Sequence, residues 1–292
     1  MSDFYLTALL LSLCLGAMAM GIFITMKIFK IPDITTDGSY TLGATVTAIL
    51  LSMHWPVYLV LPISMMAGAA AGICTGLIHT KLKIDALLAG ILVMTGLYSI
   101  NLIVLGRSNV PLIGMTTLFS YVSFFENDIF NQLTVGLVII LALFFTIQFL
   151  LKTDFGIAMR ATGDNPLMTK ALGINNDKMK ITGLAIANSL TALSGFLVAQ
   201  YQGFTDISMG IGIVITGLGS VLIADALRIW LNVTSIGLQL ILVLIGSLLF
   251  QLVLAVTLAL GIDPNLLKLV TAVFVLLIVA IPRLAGKQVA IK

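Results

Sequence analysis

Nine apolar runs separated by short polar breaks leave this chain one environment to fold in, a lipid bilayer. A spanning helix needs about 20 mainly apolar residues. Runs bounded by charge, proline or glycine occur at 4–29, 39–54, 56–79, 84–105, 131–151, 181–201, 209–224, 232–260 and 265–282. With 60% hydrophobic and only 9% charged residues over 292 positions, there is too little polar surface to cover a soluble domain. The expected fold class is an all-α polytopic membrane protein. It forms a single transmembrane domain over residues 1–292, with about nine segments, two of them short.

Lysine and arginine are retained on the cytoplasmic side of a membrane. With the N-terminus outside and nine crossings, thirteen of the fifteen fall on the inner face, against Arg107 and Lys268 outside. The C-terminus is then cytoplasmic. The only glutamate, Glu126, lies with Asp128 in the outer segment 106–130, expected as an external loop or surface helix. The net charge of +3 follows from this asymmetry and is no sign of nucleic-acid binding. Ala17-Met18-Ala19 resembles a signal cleavage site, but the residues before it contain Asp3 and no positive charge, so the first run reads as a retained helix. Cys14 and Cys74 lie inside predicted spans and read as small buried apolar residues rather than a disulfide.

Gly68, Gly72 and Gly76 repeat at four-residue spacing with alanines between them, so two backbones can approach closely along that face. This reads as a crossing deep in the bundle or as general helix packing; either predicts burial in protein. Two breaks matter more, because non-helical backbone at membrane depth needs protein or a cavity around it. One runs from Ile31 to Ser39, where Asp37 or Ser39 is placed to cap the next helix; the other runs from Gln202 to Ser208, before a glycine-interrupted stretch. Thr36–Gly43 and Thr205–Gly212 agree at four of eight positions and fall on opposite faces, as an inverted repeat would. Asp33, Asp37, Ser39, Thr205, Asp206 and Ser208 are therefore candidates to line a translocation pathway. The alternative is that the three aspartates only cap helices at the membrane surface. Asp85 and Asp225 fall near the inner boundary, where capping or solvation suffices. His54 and His79 sit at span ends with no partner at metal-ligand spacing, and Asn101, Gln148, Asn188 and Gln200 are expected to bond between helices. No metal site is expected.

The longest polar interruption, residues 152–180, holds five of the fifteen basic residues. Within it Asn165 to Gly173 reads as one short helix, with Asn165 as cap, Pro166 at the first helical position and Gly173 as the stop. No phosphate-binding loop or nucleophile elbow occurs, so the chain is not expected to be an enzyme. The run Thr153–Pro166, continuing through Ala171–Asn175, resembles the cytoplasmic coupling segment of bacterial ABC importer permeases of the branched-chain amino acid and ribose type. Pro32–Ser39, Ala199–Gly212 and Ala280–Leu284 are similar to the narrower group of tryptophan or aromatic amino acid permeases.

The resemblance implies a type II importer-like permease in the bacterial inner membrane, paired with a second copy. Two cytoplasmic ATP-binding subunits would carry ATP and Mg, and an extracellular lipoprotein would deliver substrate. No cofactor is implied in this chain. The 166–172 helix would insert into a groove on the ATPase. Arg160, Gly163, Asn165, Pro166, Leu167, Met168, Lys170, Ala171, Leu172 and Gly173 are the candidate coupling residues. The alternatives are an ATP-independent secondary transporter or facilitator, a non-conducting scaffold subunit, and an importer for a sugar or nucleoside.

Overall fold

The computed structural model describes residues 2–122, 125, 127–263 and 266–284. Glu126, Lys287 and Lys292, which entered the charge count, lie outside them. Helix α1 (Ser2–Phe23) runs into a π-helical turn, Ile24–Ile28, before α2 (Thr35–Ser52), α3 (Val57–Lys81) and α4 (Ala86–Leu105). Strand β1 (Asn109–Pro111) and the short α5 (Leu118–Tyr121) lead to α6 (Asp128–Lys152). Two helices follow in the polar interruption, α7 (Asp154–Asp164) and α8 (Pro166–Ala171). Then come α9 (Asn176–Gln202), β2 (Phe204–Asp206), α10 (Ile213–Trp230), α11 (Ile236–Ala259) and α12 (Leu267–Leu284).

Among the described residues, seven helices are long and apolar enough to cross a membrane: α1 with its π turn, α3, α4, α6, α9, α10 and α11. Helices α2 and α12 occupy the two remaining runs. The segment expected to span 209–224 instead begins at Ile213 and continues to Trp230, because 207–212 forms turns. The segment expected from 39 begins four residues earlier, at Thr35.

Helix α9 is the axis. Asn188, Thr191, Ser194 and the apolar residues around them are buried on every side. The glycines of α3 make its closest crossing: a Cβ on Gly68, Gly72 or Gly76 would collide with the α9 backbone at Asn188, Leu184 and Ile181. Those three glycines therefore face protein, while Met66, Ile73 and Leu77 on other faces of α3 are exposed. Gly43 of α2 meets Ala192 in the same way, and Gly21 of α1 meets Ala187. Without a hydrophobic drive between helices in lipid, such backbone approach is a main source of association.

The helices repeat a pattern. α3 packs along α9 as α11 packs along α1; α2 contacts α3 and α4 as α10 contacts α11 and α12. α1 and α9 run in opposite directions and pack against each other. The bundle has two distinct ends. Strands β1 and β2 pair antiparallel at one, with Val110 opposite Thr205; α7 and α8 lie at the other. Lys30, beyond the π turn, pairs with Asp164 of α7 at 3.1 Å, which fixes the end of α1 at the α8 end.

Candidate functional site

Six-residue helices are marginal alone, so α8 exists because its ends are tied. Asn165 Oδ1 accepts the Met168 amide at 3.0 Å, Pro166 stands at the first turn, and Gly173 at φ +82° closes the far end. The Gly173 and Ile174 amides bond back to the Lys170 and Thr169 carbonyls. An ordinary residue would be strained in that left-handed position. The inner face is anchored to α9: buried Thr169 donates to Asn176 Oδ1 at 2.8 Å, and Asn176 Nδ2 donates to the Pro166 carbonyl at 2.6 Å. Asn175 caps α9 through the Lys178 amide. α8 and α9 are thus one hydrogen-bonded unit.

The outer face carries the opposite chemistry. Leu167, Met168 and Leu172 are 83%, 60% and 68% exposed, and Ala171 and Lys170 are also exposed. Positions 167, 168, 171 and 172 form one stripe at helical spacing. Helix α7 seats this unit. It starts at a Thr153 cap on the Gly156 amide and presses Gly163 so closely on the Ile28 carbonyl that a Cβ would overlap it. Arg160 is half-buried on α7, and its Nε meets no hydrogen-bond partner among the described residues.

The pathway candidates separate into two places. Asp33 Oδ1 accepts the Thr35 amide at 2.9 Å, and its Oδ2 accepts Asn188 Nδ2 at 2.7 Å. Ser39 donates to Asn188 Oδ1 at 2.6 Å. Asn188 lies twelve residues from the start of α9 and fourteen from its end, so this cluster is near the middle of the bundle. The residue that serves the start of α2 is therefore Asp33, not Asp37 or Ser39 as expected. Asp37 instead accepts the Gly212 and Val214 amides at 2.8 and 2.9 Å, closing the N-terminus of α10 from across the bundle. Thr205 is also buried, donating to the Ala44 carbonyl of α2.

Asp206 and Ser208 are not part of this cluster. They lie on the strand end, where the Ser208 hydroxyl and amide and Asn109 Nδ2 all donate to Asp206. These bonds, Ser208 first, hold its carboxyl below the usual range. Surface capping thus describes Asp206 but not the buried Asp33 and Asp37. The Asx turn at Asp206-Ile207-Ser208 matches the one at Asp33-Ile34-Thr35. The two breaks correspond in that register, four residues from the sequence alignment of Asp37 with Asp206.

Other polar residues behave mostly as expected. Asp85 caps α4 through the Leu87 amide, Asn101 donates to the Gly38 carbonyl, and Gln200 accepts the Leu118 amide. Cys14 and Cys74 are free thiols; Cys14 is buried as expected, but Cys74, also expected to be buried, is exposed beside exposed Ile73 and Leu77 on α3. His79 bonds the Ile84 carbonyl and Lys180. Asp225 departs from expectation: its side chain is 4% exposed and pairs with Lys27 at 2.7 Å and Arg228 at 2.9 Å. Arg228 is a local neighbour at i+3, but Lys27 stands far away in the chain, so the pair it makes with Asp225 has no local signal.

Comparison with known proteins gives the family. A family model for the permease component of branched-chain amino acid transport systems matches residues 4–281. The tyrosine transport system permease protein of Clostridioides difficile (strain R20291) is 38% identical over 269 residues, covering 92% of this chain and 88% of that protein. The ribose import permease protein RbsC of Haemophilus influenzae is 27% identical over 202 residues, 65% of this chain and 59% of that one. An inward-facing structure of a metal-chelate type ABC transporter aligns with a TM-score of 0.52 at 15% identity, covering 98% of this chain and 85% of that one, which shows a shared fold. With the matched region running nearly end to end, the chain belongs to the family of branched-chain amino acid transport system permease components.

Proposed function

We propose that this chain is the translocating subunit of an ATP-driven importer for amino acids, with aromatic side chains the favoured class, and that α8 is its contact with the ATPase. The observation that carries the contact is an exposed apolar stripe on a helix locked at both ends. A polar segment has no folding reason to present Leu167, Met168 and Leu172 to solvent; a groove on a partner gives one. The α8 end faces the cytoplasm, with the N-terminus outside. Two copies pair in the bacterial inner membrane around the route, and membrane lipid covers the remaining apolar faces. Two ATP-binding subunits supply ATP and Mg chemistry that this chain lacks. An external binding lipoprotein delivers substrate at the strand end, where Asp206 and Ser208 lie.

Closure of the ATPase pair then moves α8 and α9 as a unit. Asp33, Asp37 and Ser39 tie α2 to α9 and α10 at mid-depth, and Thr205 ties α2 to β2, so that motion is felt where the two breaks meet. Arg160, Gly163 and Lys170 orient the segment. The amino acid class rests on the likeness to the tyrosine permease, and the ribose permease likeness makes a sugar the rival.

Leu167→Asp should abolish both ATPase co-purification in detergent and uptake into proteoliposomes, with the chain still inserted at normal yield. Normal uptake by this variant would overturn the contact. Uptake of labelled ribose but not tyrosine, with the binding protein present, would overturn the substrate class alone.

A further inference from the structure

We propose that the π-helical turn ending α1, pinned to α10 by the Lys27–Asp225 ion pair, is the positioning contact that carries movement of the α7–α8 segment into α10. This rests on the reading of α8 as the ATPase contact. The turn is held from three sides. Gly163 of α7 lies flush on the Ile28 carbonyl, the Phe29 ring covers Gly183 of α9, and Lys27 reaches Asp225 of α10 at 2.7 Å. Lys30 adds a second link to α7 through Asp164. A displacement of α7 therefore reaches this turn directly, as it does α6 and α9, which α7 also contacts.

The turn itself is suited to transmit and absorb that push. The Phe29 amide reaches the Ile24 carbonyl at 3.1 Å, one residue further than an α-helical bond, and the Ile31 amide reaches the Thr25 carbonyl at 2.9 Å, two residues further. Such insertions are rare and recur at functional sites. The link to α10 is stiff: a buried carboxylate shared by two cations resists separation, because removing one partner leaves a buried charge less compensated. The pair itself lines a partly open cavity of about 320 Å³, with Lys30, Asp164 and Arg228 on its polar side and Met26 and Leu222 on its apolar side. Close-packed interiors do not deform continuously; this space lets α10 shift without forcing its neighbours apart.

The other end of α10 completes the relay. Its first amides are held by Asp37, in the opening turn of α2. An 18-residue helix thus joins an ion pair at the α8 end to a carboxylate at mid-depth. Movement of α8 reaches the central break through α7, the π turn and α10, besides the direct route along α9.

The test uses the complete importer in proteoliposomes and reads substrate taken up per ATP hydrolysed. Lys27→Met should lower that ratio by about tenfold, an ordinary size for a coupling free energy, with the ATPase still bound and hydrolysing. Lys27→Arg should keep the ratio within about twofold of the parent, since it preserves the charge on Asp225. If Lys27→Met fails to insert, Leu222→Trp, which fills the cavity and removes neither charge of the pair, should lower the ratio in the same way. An unchanged ratio in Lys27→Met or Leu222→Trp, or uptake and hydrolysis falling in proportion, would overturn the relay. Should the parent chain retain no ATPase at all, the α8 reading itself falls, and this proposal with it.

Discussion

A carboxylate in the first turn of a helix ordinarily serves that helix's own amides; Asp37 serves α10 instead. Two charge-assisted bonds to the Gly212 and Val214 amides make it a tie between α2 and α10. Asp37→Asn would set an amide donor against one of those donors, and bonds to a charged acceptor contribute about 1.5–3 kcal/mol each. It should therefore lower thermal stability in detergent by roughly 2 kcal/mol. Asp206→Asn, on the strand end, should cost less, because an asparagine oxygen can still accept the Ser208 amide in the same turn. Equal effects would mean that the two aspartates are equivalent after all. The sequence offered both residues in a Thr-Asp-x-Ser frame, and that likeness misled. What separates them is which backbone amides lie nearby, a property of the fold that neither tetrapeptide contains.

Helix α8 was legible residue by residue, because each of its determinants is local: a cap, a proline and a left-handed glycine within nine positions. Helix α7 was not. It is seated by Gly163 on the Ile28 carbonyl, a contact written nowhere near it in the chain. Gly173→Pro asks a residue fixed near φ −65° to occupy φ +82°. The end of α8 should unravel, and uptake should be lost with insertion unaffected, as read by fluorescence size exclusion beside transport. Full uptake would show that the shape of α8 is irrelevant. The glycine stripe of α3 was equally plain in sequence, and its partner was not. Gly72→Leu would drive a side chain into the Leu184 carbonyl region, and overpacking typically costs about 1–3 kcal/mol or more. Its folded yield should fall, while Gly96→Leu, where a Cβ meets nothing, should be tolerated.

At the scale of the whole molecule, the membrane class and the positions of the apolar runs followed from hydropathy alone. Hydropathy was weakest where backbone enters the bundle without helix, at the start of α2 and before α10, since those residues are buried by neighbours rather than by lipid. Helices α1–α4 and α9–α12 run in opposite directions with an Asx turn opening each break, and they interlock, α2 and α3 packing along α9 and α11 along α1; the proposed coupling is a motion of α8 and α9 within that interlocked bundle. That motion is useful only if α8 lies where an ATPase can grip it. The decisive measurement is labelling of Met168→Cys, in a Cys74→Ser background, by a membrane-impermeant maleimide. The account predicts reaction in inside-out vesicles, silence in intact cells, and protection when the ATPase subunit is bound. Labelling from the outside of intact cells, or no effect of the ATPase on the rate, would contradict it.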